Sequence, residues 1–360
     1  MNEEKSDDPV GLLQDLLLQG RPAARESMAT VRDAIASGPG PTVDSLRSAY
    51  LGLLKLCLCD LTATTTMSVG SMPGGGTASR VLRDDERRLR SVGMDWPLQG
   101  LTMTGLSRLD DLQACVESVV RDGVDGDLVE AGAWRGGASI LMRATLDALG
   151  DAARTVWVAD SFQGFPDDEA GEHIDLSLYE FLAVPLEEVK ANFARFGCSE
   201  GVRFVPGFFE DTLPGLADGH WAIVRLDGDT YEATMTALSS LYPGLALGGY
   251  LVIDDYGALE ECRRAVDDFR GRHGITEPLE EIDWTGMRWR RESDARIEAS
   301  PALAARSGDG APAHDRAPVT RHHDVPTVRE LKLEQELSKL RERLAAAERA
   351  PERRFRLFRR

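Results

Sequence analysis

The chain has 360 residues, enough for one large domain with extensions or two small ones, and its 42% hydrophobic and 28% charged content is that of a soluble globular protein. Its net charge of −18 is uneven, because residues 326–360 carry 11 Lys and Arg against 6 Asp and Glu. The acidic body argues against nucleic acid as the main partner. No apolar run reaches the roughly 20 residues of a transmembrane helix, and six scattered histidines disfavour a zinc site.

In chain order, residues 10–37 and 42–60 read as helices, with apolar faces at Leu12, Leu13, Leu16 and Leu17, then at Leu46, Tyr50, Leu53 and Leu54. Cys57 and Cys59 form a CxC with no second thiol pair, so buried packing is expected rather than a soft metal. The five cysteines show no CxxC spacing and follow no secretory signal, which predicts free thiols in a reducing cytoplasm. Residues 62–79, with MPGGG, read as a mobile loop, either a lid or plain disorder.

From Asp127 the pattern changes. DLVEAG, TVWVADS, VRFVPG, WAIVRLDGD and GYLVIDDY are apolar strand candidates, with helical stretches around 137–149, 186–196, 231–242 and 258–272 between them. Strands alternating with helices predict an α/β fold with a parallel, doubly wound sheet, and EPLEEIDWTGMRWRR reads as a closing pair of strands. Residues 294–325 lack periodicity and read as a linker. Leu333, Leu337, Leu340 and Leu344 then follow a heptad seam, barely two heptads long, which suits a short coiled coil or an isolated frayed helix. The ending RRFRLFRR fits either a solvated tail or weak contact with an anionic membrane surface or a partner.

Ligands of open α/β sheets bind at the carboxyl ends of the strands. Two strand ends carry paired acids, Asp227 and Asp229 in RLDGDTYEAT and Asp254 and Asp255 in YLVIDDYG. Their convergence points to a hard cation such as Mg²⁺ held by oxygen ligands, the alternative being that one pair caps a helix. The first strand ends in VEAGAWRGG, where a dinucleotide fold would place a bare glycine at the position of Trp134. An indole there fits NAD or FAD poorly. Glu130, Gly132 and Gly136 suit S-adenosylmethionine instead, with Glu130 meeting its cationic end and Gly132 giving close backbone approach. Asp160, closing the second strand, is placed to accept ribose hydroxyls, and Phe209 and Glu210 after the third to cover and edge an adenine. Trp134, Ser139 and Ser161 complete this candidate set. A metal at Asp227, Asp254 and Asp255 would lower the pKa of a substrate hydroxyl, with Asp227 also placed to take the proton. Asp229 is expected to orient the loop or reach the methionine amine.

The strings from SVGMDWPLQGLTMTGLSRLDDLQ through VWVADSFQGFP, VRFVPGFFEDTLP, RLDGDTYEATMTALSSLYP and GGYLVIDDYGALEECRRAVDDFR to IDWTGMRWRR carry a resemblance to the macrocin O-methyltransferase family, over about Arg90 to Arg291. The resemblance implies a class I methyltransferase fold, S-adenosylmethionine and Mg²⁺, a deoxysugar hydroxyl of a macrolide or related product as acceptor, and a homodimer or larger assembly. It carries the metal ligands over to Asp227, Asp254 and Asp255, the base to Asp227, and cofactor contacts to Thr102 and Met103 in LTMTG. Thr104, the stretch from Asp167 to Leu182 and the tail after Ser293 depart from the family pattern.

The division expected is N-terminal helices and a lid loop over 1–100, the methyltransferase domain over 101–293, the linker over 294–325 and the basic-ended helix over 326–360. Methylation of a phenol or catechol is the alternative chemistry, and a scaffold working through the tail the alternative of another class. No transmembrane segment is expected, and the location expected is the cytoplasm.

Overall fold

The computed structural model describes residues 42–71, 77–165, 179–293 and 319–320. The expected helix over 10–37, the MPGGG stretch, the linker apart from Val319 and Thr320, the heptad segment and the basic ending lie outside them.

The first described element is helix α1 (Val43–Leu58), opened by Thr42, whose side-chain oxygen accepts from the Ser45 N–H at 3.1 Å. Of the face expected to be buried, only Leu54 is; Leu46, Tyr50 and Leu53 are 46–56% exposed, and Leu51, Leu56 and Leu58 are buried instead. The apolar packing of the helix begins at its third turn, and its N-terminal half touches the body through Arg47, which donates to Ala148 O at 2.8 Å. Each fully buried leucine contributes about 1.5–3 kcal/mol, enough to tie α1 to the core it shares with later helices.

Residues 62–79 differ from the loop expected. Strands β1 (Met67–Ser71) and β2 (Thr77–Val81) pair antiparallel from Met67↔Val81 to Ser71↔Thr77, and β3 (Trp96–Pro97) adds to β1. Composition hid the hairpin because its inward side chains include a polar one: Val69 is buried beside Ser68, which donates to Asp95. A short helix α2 (Arg87–Ser91) supplies Arg90, also bonded to Asp95.

The main sheet contains β4 (Asp127–Ala131), β5 (Val156–Asp160), β6 (Val202–Pro206), β7 (Trp221–Leu226), β8 (Leu245–Ile253), β9 (Leu279–Glu281), β10 (Met287–Arg290) and β11 (Val319–Thr320). Their order across the sheet is β11-β9-β10-β8-β7-β4-β5-β6. Strands β4 to β8 run parallel, as their β-branched runs require, and β10 enters antiparallel between β8 and β9. This is the doubly wound α/β architecture expected, and the closing strands are those of EPLEEIDWTGMRWRR.

Two cores cover the two faces. On one, α1, α3 (Leu106–Arg121), α4 (Gly137–Leu149) and α6 (Leu186–Arg195) pack against Leu128, Ile223, Tyr250 and Val252; on the other, α8 (Tyr231–Leu241) and α9 (Glu260–His273) pack against Val129, Val224, Leu251 and Ile253, and the single-turn helices α5 (Tyr179–Leu182) and α7 (Phe209–Thr212) complete the chain order. Neighbouring residues of one strand thus serve opposite cores, the two-residue period of a pleated strand. All five cysteines are free. No helix among the described residues is long and apolar enough to cross a membrane.

Candidate active site

A staircase of backbone hydrogen bonds at the carboxyl edge aligns the strand ends. Gly132 N–H donates to Ala159 O at 2.9 Å, Asp227 N–H to Ala131 O at 2.8 Å and Asp254 N–H to Leu226 O at 2.9 Å. The register Ala131↔Leu226↔Ile253 therefore delivers Gly132, Asp227 and Asp254 side by side. A Cβ on Gly132, whose φ is +91°, would lie 1.8 Å from the Asp227 carbonyl oxygen. The glycine is thus required by the neighbouring strand as well as by any ligand.

The acids converge. One oxygen from each of Asp227, Asp254 and Asp255 lies within 4.8 Å of the others. Neither pair caps a helix through its side chains: Thr230 caps α8, accepting from Ala233 N–H, and α9 has no side-chain cap. Burial raises the Asp227 carboxyl above its ordinary range, and the charge of Asp254 adds to this. Burial and Asp227 together push Asp229 up to about 7. Burial, then Asp227, Asp229 and Asp254, hold Asp255 well above its usual value. Without a cation these carboxyls share protons. Asp229 also takes a left-handed φ of 56°, as Trp134 (48°) and Phe162 (55°) do, so three of the four non-glycine residues with positive φ among the described residues stand at this edge. Such backbone strain gathers at functional sites.

Beneath the acids runs a buried ion network. Arg225 donates to Glu130 at 2.5 Å, to Asp227 at 3.1 Å, to Thr104 Oγ1 at 2.9 Å and to Asp254. Arg108, from α3, donates to Asp254 and, at 3.0 Å, to Asp283 in the β9–β10 turn. Sequence reading did not find Arg108, Arg225 or Asp283. Arg225 was discoverable, since it lies two residues before Asp227 and strand alternation puts both on one face.

Two cavities join here. One, of about 140 Å³, is walled by Gly132, Trp134, Asp160, Phe209 and Glu210. The other, of about 380 Å³, has Trp96, Trp134 and Trp284 on its sides and Asp227, Asp229, Asp254 and Asp255 in its floor. Met103 and Trp134 line both, and Trp134 is steadied by Phe181, whose carbonyl accepts its indole N–H at 3.3 Å.

The candidate cofactor residues fall into three groups. Met103, Gly132, Trp134, Asp160, Ser161, Phe209 and Glu210 line the smaller cavity, and Thr102 and Glu130 the larger. Gly136 and Ser139 reach neither wall. Gly136 faces Phe193, which a Cβ would meet at 2.8 Å, and buried Ser139 donates to Glu130. Glu130 is itself committed: Arg225 and Ser139 occupy its carboxylate, which burial raises to about 7 against the pull of Arg225. Glu130 thus braces Arg225 while bordering the larger cavity. Asp160 accepts from Ala133 and Trp134 N–H at 2.8 and 3.0 Å and from Phe162 N–H at 2.8 Å. It braces the glycine turn as well as bordering the cavity. The Ser161 hydroxyl closes its own turn on Gly164 O at 2.6 Å.

Residues 56–291 match the family described as Macrocin-O-methyltransferase (TylF). The chain is 54% identical over 220 residues to the 8-demethyl-8-(2,3-dimethoxy-alpha-L-rhamnosyl)-tetracenomycin-C 4'-O-methyltransferase of Streptomyces olivaceus, covering 59% of this chain and 84% of that protein. It is 46% identical over 213 residues to the mycinamicin III 3''-O-methyltransferase of Micromonospora griseorubida, covering 57% and 84%. Among solved structures, the O-methyltransferase NovP is 41% identical, with a TM-score of 0.61, covering 69% of this chain and all of that one.

Proposed function

The chain belongs to the macrocin O-methyltransferase family and is an O-methyltransferase; from that premise we propose that it transfers a methyl group from S-adenosylmethionine, with Mg²⁺, to a sugar hydroxyl of a glycosylated natural product. The observation that carries the reading is the carboxylate floor of Asp227, Asp254 and Asp255 opening directly onto the aromatic-walled cavity that continues to Asp160. The two named relatives methylate glycosylated compounds, which supports a sugar-bearing acceptor.

The residues fit both groups. Asp255 Oδ2 is buried without a hydrogen-bond partner, and crowded buried acids are costly without a cation. Three carboxylates suit a hard ion that keeps positions for substrate oxygens. Asp160 and the bare turn at Gly132 suit a ribose and a closely approaching chain, with Phe209 beside them. When bound, the cofactor supplies an electrophilic methyl on a sulfonium, and Mg²⁺ lowers the pKa of the acceptor hydroxyl.

The chain's own residues do the rest. The acceptor oxygen takes the methyl in a single displacement as the carbon–sulfur bond breaks to leave a neutral thioether, and the hydroxyl proton passes to Asp227. Met103 and Trp134, lining both cavities, hold the two reactants in contact and exclude water. Trp96 and Trp284 offer flat apolar faces to a sugar ring above hydroxyl-binding acids.

The test is transfer of labelled methyl from S-adenosylmethionine to matched acceptors with and without their sugar, and to catechols, in Mg²⁺ and in chelator. Label is expected on the sugar and only with the metal. Label on an aglycone or catechol would move the acceptor class, and transfer undiminished by chelator would remove the metal.

A further inference from the structure

We propose that Arg108 is a built-in counter-cation of the carboxylate floor, holding Asp254 in the metal-free protein and setting, by its charge, how tightly a divalent ion binds. The inference rests on the metal reading above. The three proposed ligands are unequal. Asp255 has a buried oxygen without a partner. Asp254 has none free in this sense: Arg225 holds Oδ1 and Arg108 holds Oδ2. A cation binding there meets a carboxylate already in two ion pairs.

Arg108 is fixed from behind. Its Nε donates to Asp283 Oδ2 at 3.0 Å, and the other oxygen of Asp283 accepts from the Thr285 and Gly286 N–H groups at 3.0 and 2.8 Å. Two glycines press on the side chain, since a Cβ on Gly93 would lie 2.2 Å from Arg108 Nη2 and one on Gly286 2.7 Å from its Cδ. Arg108 is 5% exposed, and although it borders the larger cavity its guanidinium is held from two sides by Asp254 and Asp283. The guanidinium is a rigid charge rather than a mobile one.

The charges around it are unbalanced. Four aspartates, Glu130 and Asp283 face Arg108 and Arg225. Arg108 therefore carries half of the fixed positive charge. Removing it makes the metal-free floor costlier and the attraction for a divalent ion stronger, two effects of one sign. A residue that only packed would destabilise the protein equally with and without the ion.

The experiment uses the full chain and reads no methyl transfer. Calorimetric Mg²⁺ titration and thermal melting, in chelator and in saturating Mg²⁺, are run on the wild type, Arg108→Met and Arg108→Lys. Arg108→Met is expected to bind Mg²⁺ about tenfold tighter, the scale of one unit charge acting on a divalent ion under water-like screening. Its Tm should fall in chelator and recover in Mg²⁺, enlarging the ion-dependent shift. Arg108→Lys, keeping the charge, should restore the wild-type affinity. An equal loss of Tm in both conditions, an unchanged or weaker affinity, or failure of Arg108→Met to fold even in saturating Mg²⁺ would overturn the proposal. A wild type that binds no Mg²⁺ would instead remove the metal reading, and this inference with it.

Discussion

At the ends of β4, β5 and β6 the site is walled by backbone turns and rings, Gly132, Trp134 and Phe209 among them, whereas at the ends of β7 and β8 it is floored by charges that the fold has taken out of water. Conformation makes the first region: a left-handed Trp134 and a glycine whose missing Cβ makes way for a neighbouring carbonyl. Compensation makes the second, where acids are stacked against one another and against two buried arginines. One region is defined by shape and the other by unbalanced charge. They should therefore fail in different ways when altered.

The largest separation is expected from Asp255→Asn. It removes a proposed metal ligand that makes no ion pair among the described contacts, so folding should survive while turnover falls on the order of 10³-fold, because Lewis-acid activation contributes several kcal/mol. Adenosylmethionine affinity, measured by titration, should stay within a few fold; parallel loss of both in a folded variant would merge the two regions. Gly132→Ala is the converse case. Its new methyl meets the Asp227 carbonyl, so a loss of at least about 2 kcal/mol is expected in denaturant unfolding. A wild-type midpoint for that variant would show that the glycine serves a ligand only.

Acidity sharpens the contrast. Asp229, raised from an ordinary 3.8 to about 7, keeps its proton in the folded chain where the unfolded chain has lost it. In the metal-free protein its contribution to stability is complete below about pH 4 and is lost as the pH rises through about 7. Asp227 and Asp255 are shifted in the same direction. Melting in chelator should therefore fall between about pH 4 and 7, and Mg²⁺ should flatten the slope. A chelated Tm that rises with pH over this range would contradict the buried, proton-sharing floor. The smallest effect expected is that of Trp134→Phe, which keeps a ring but loses the hydrogen bond to Phe181 O. The KM for adenosylmethionine should rise by severalfold, since a net hydrogen bond contributes about 1 kcal/mol, with Mg²⁺ affinity unmoved.

The same two regions differ in how far they can be read from sequence. The five parallel strands are legible because β-branched runs buried on both faces leave a continuous apolar signature, and the acids at their ends follow from the strand-end rule. Register sets Asp227 beside Asp254, and Asp255 follows as the next residue along the chain. Asp160 and Phe209 are legible for the same reason. Arg108 and Asp283 are not, being far apart in the chain and joined only when α3 and the β9–β10 turn pack. The pairing of the Ser139 hydroxyl with Glu130 is likewise made only when α4 packs on β4. The β1–β2 hairpin was hidden by small and polar residues that pair through backbone, which composition does not register.

The most direct measurement is anomalous diffraction from crystals grown with Mn²⁺ and adenosylmethionine, Mn²⁺ standing in for Mg²⁺ as another ion suited to oxygen ligands. A single anomalous peak within coordination distance of carboxylate oxygens of Asp227, Asp254 and Asp255, with the cofactor against Gly132 and Asp160, is the expected result. A bound cofactor with no peak among those three acids, or with the ion elsewhere, would contradict the metal-assisted site.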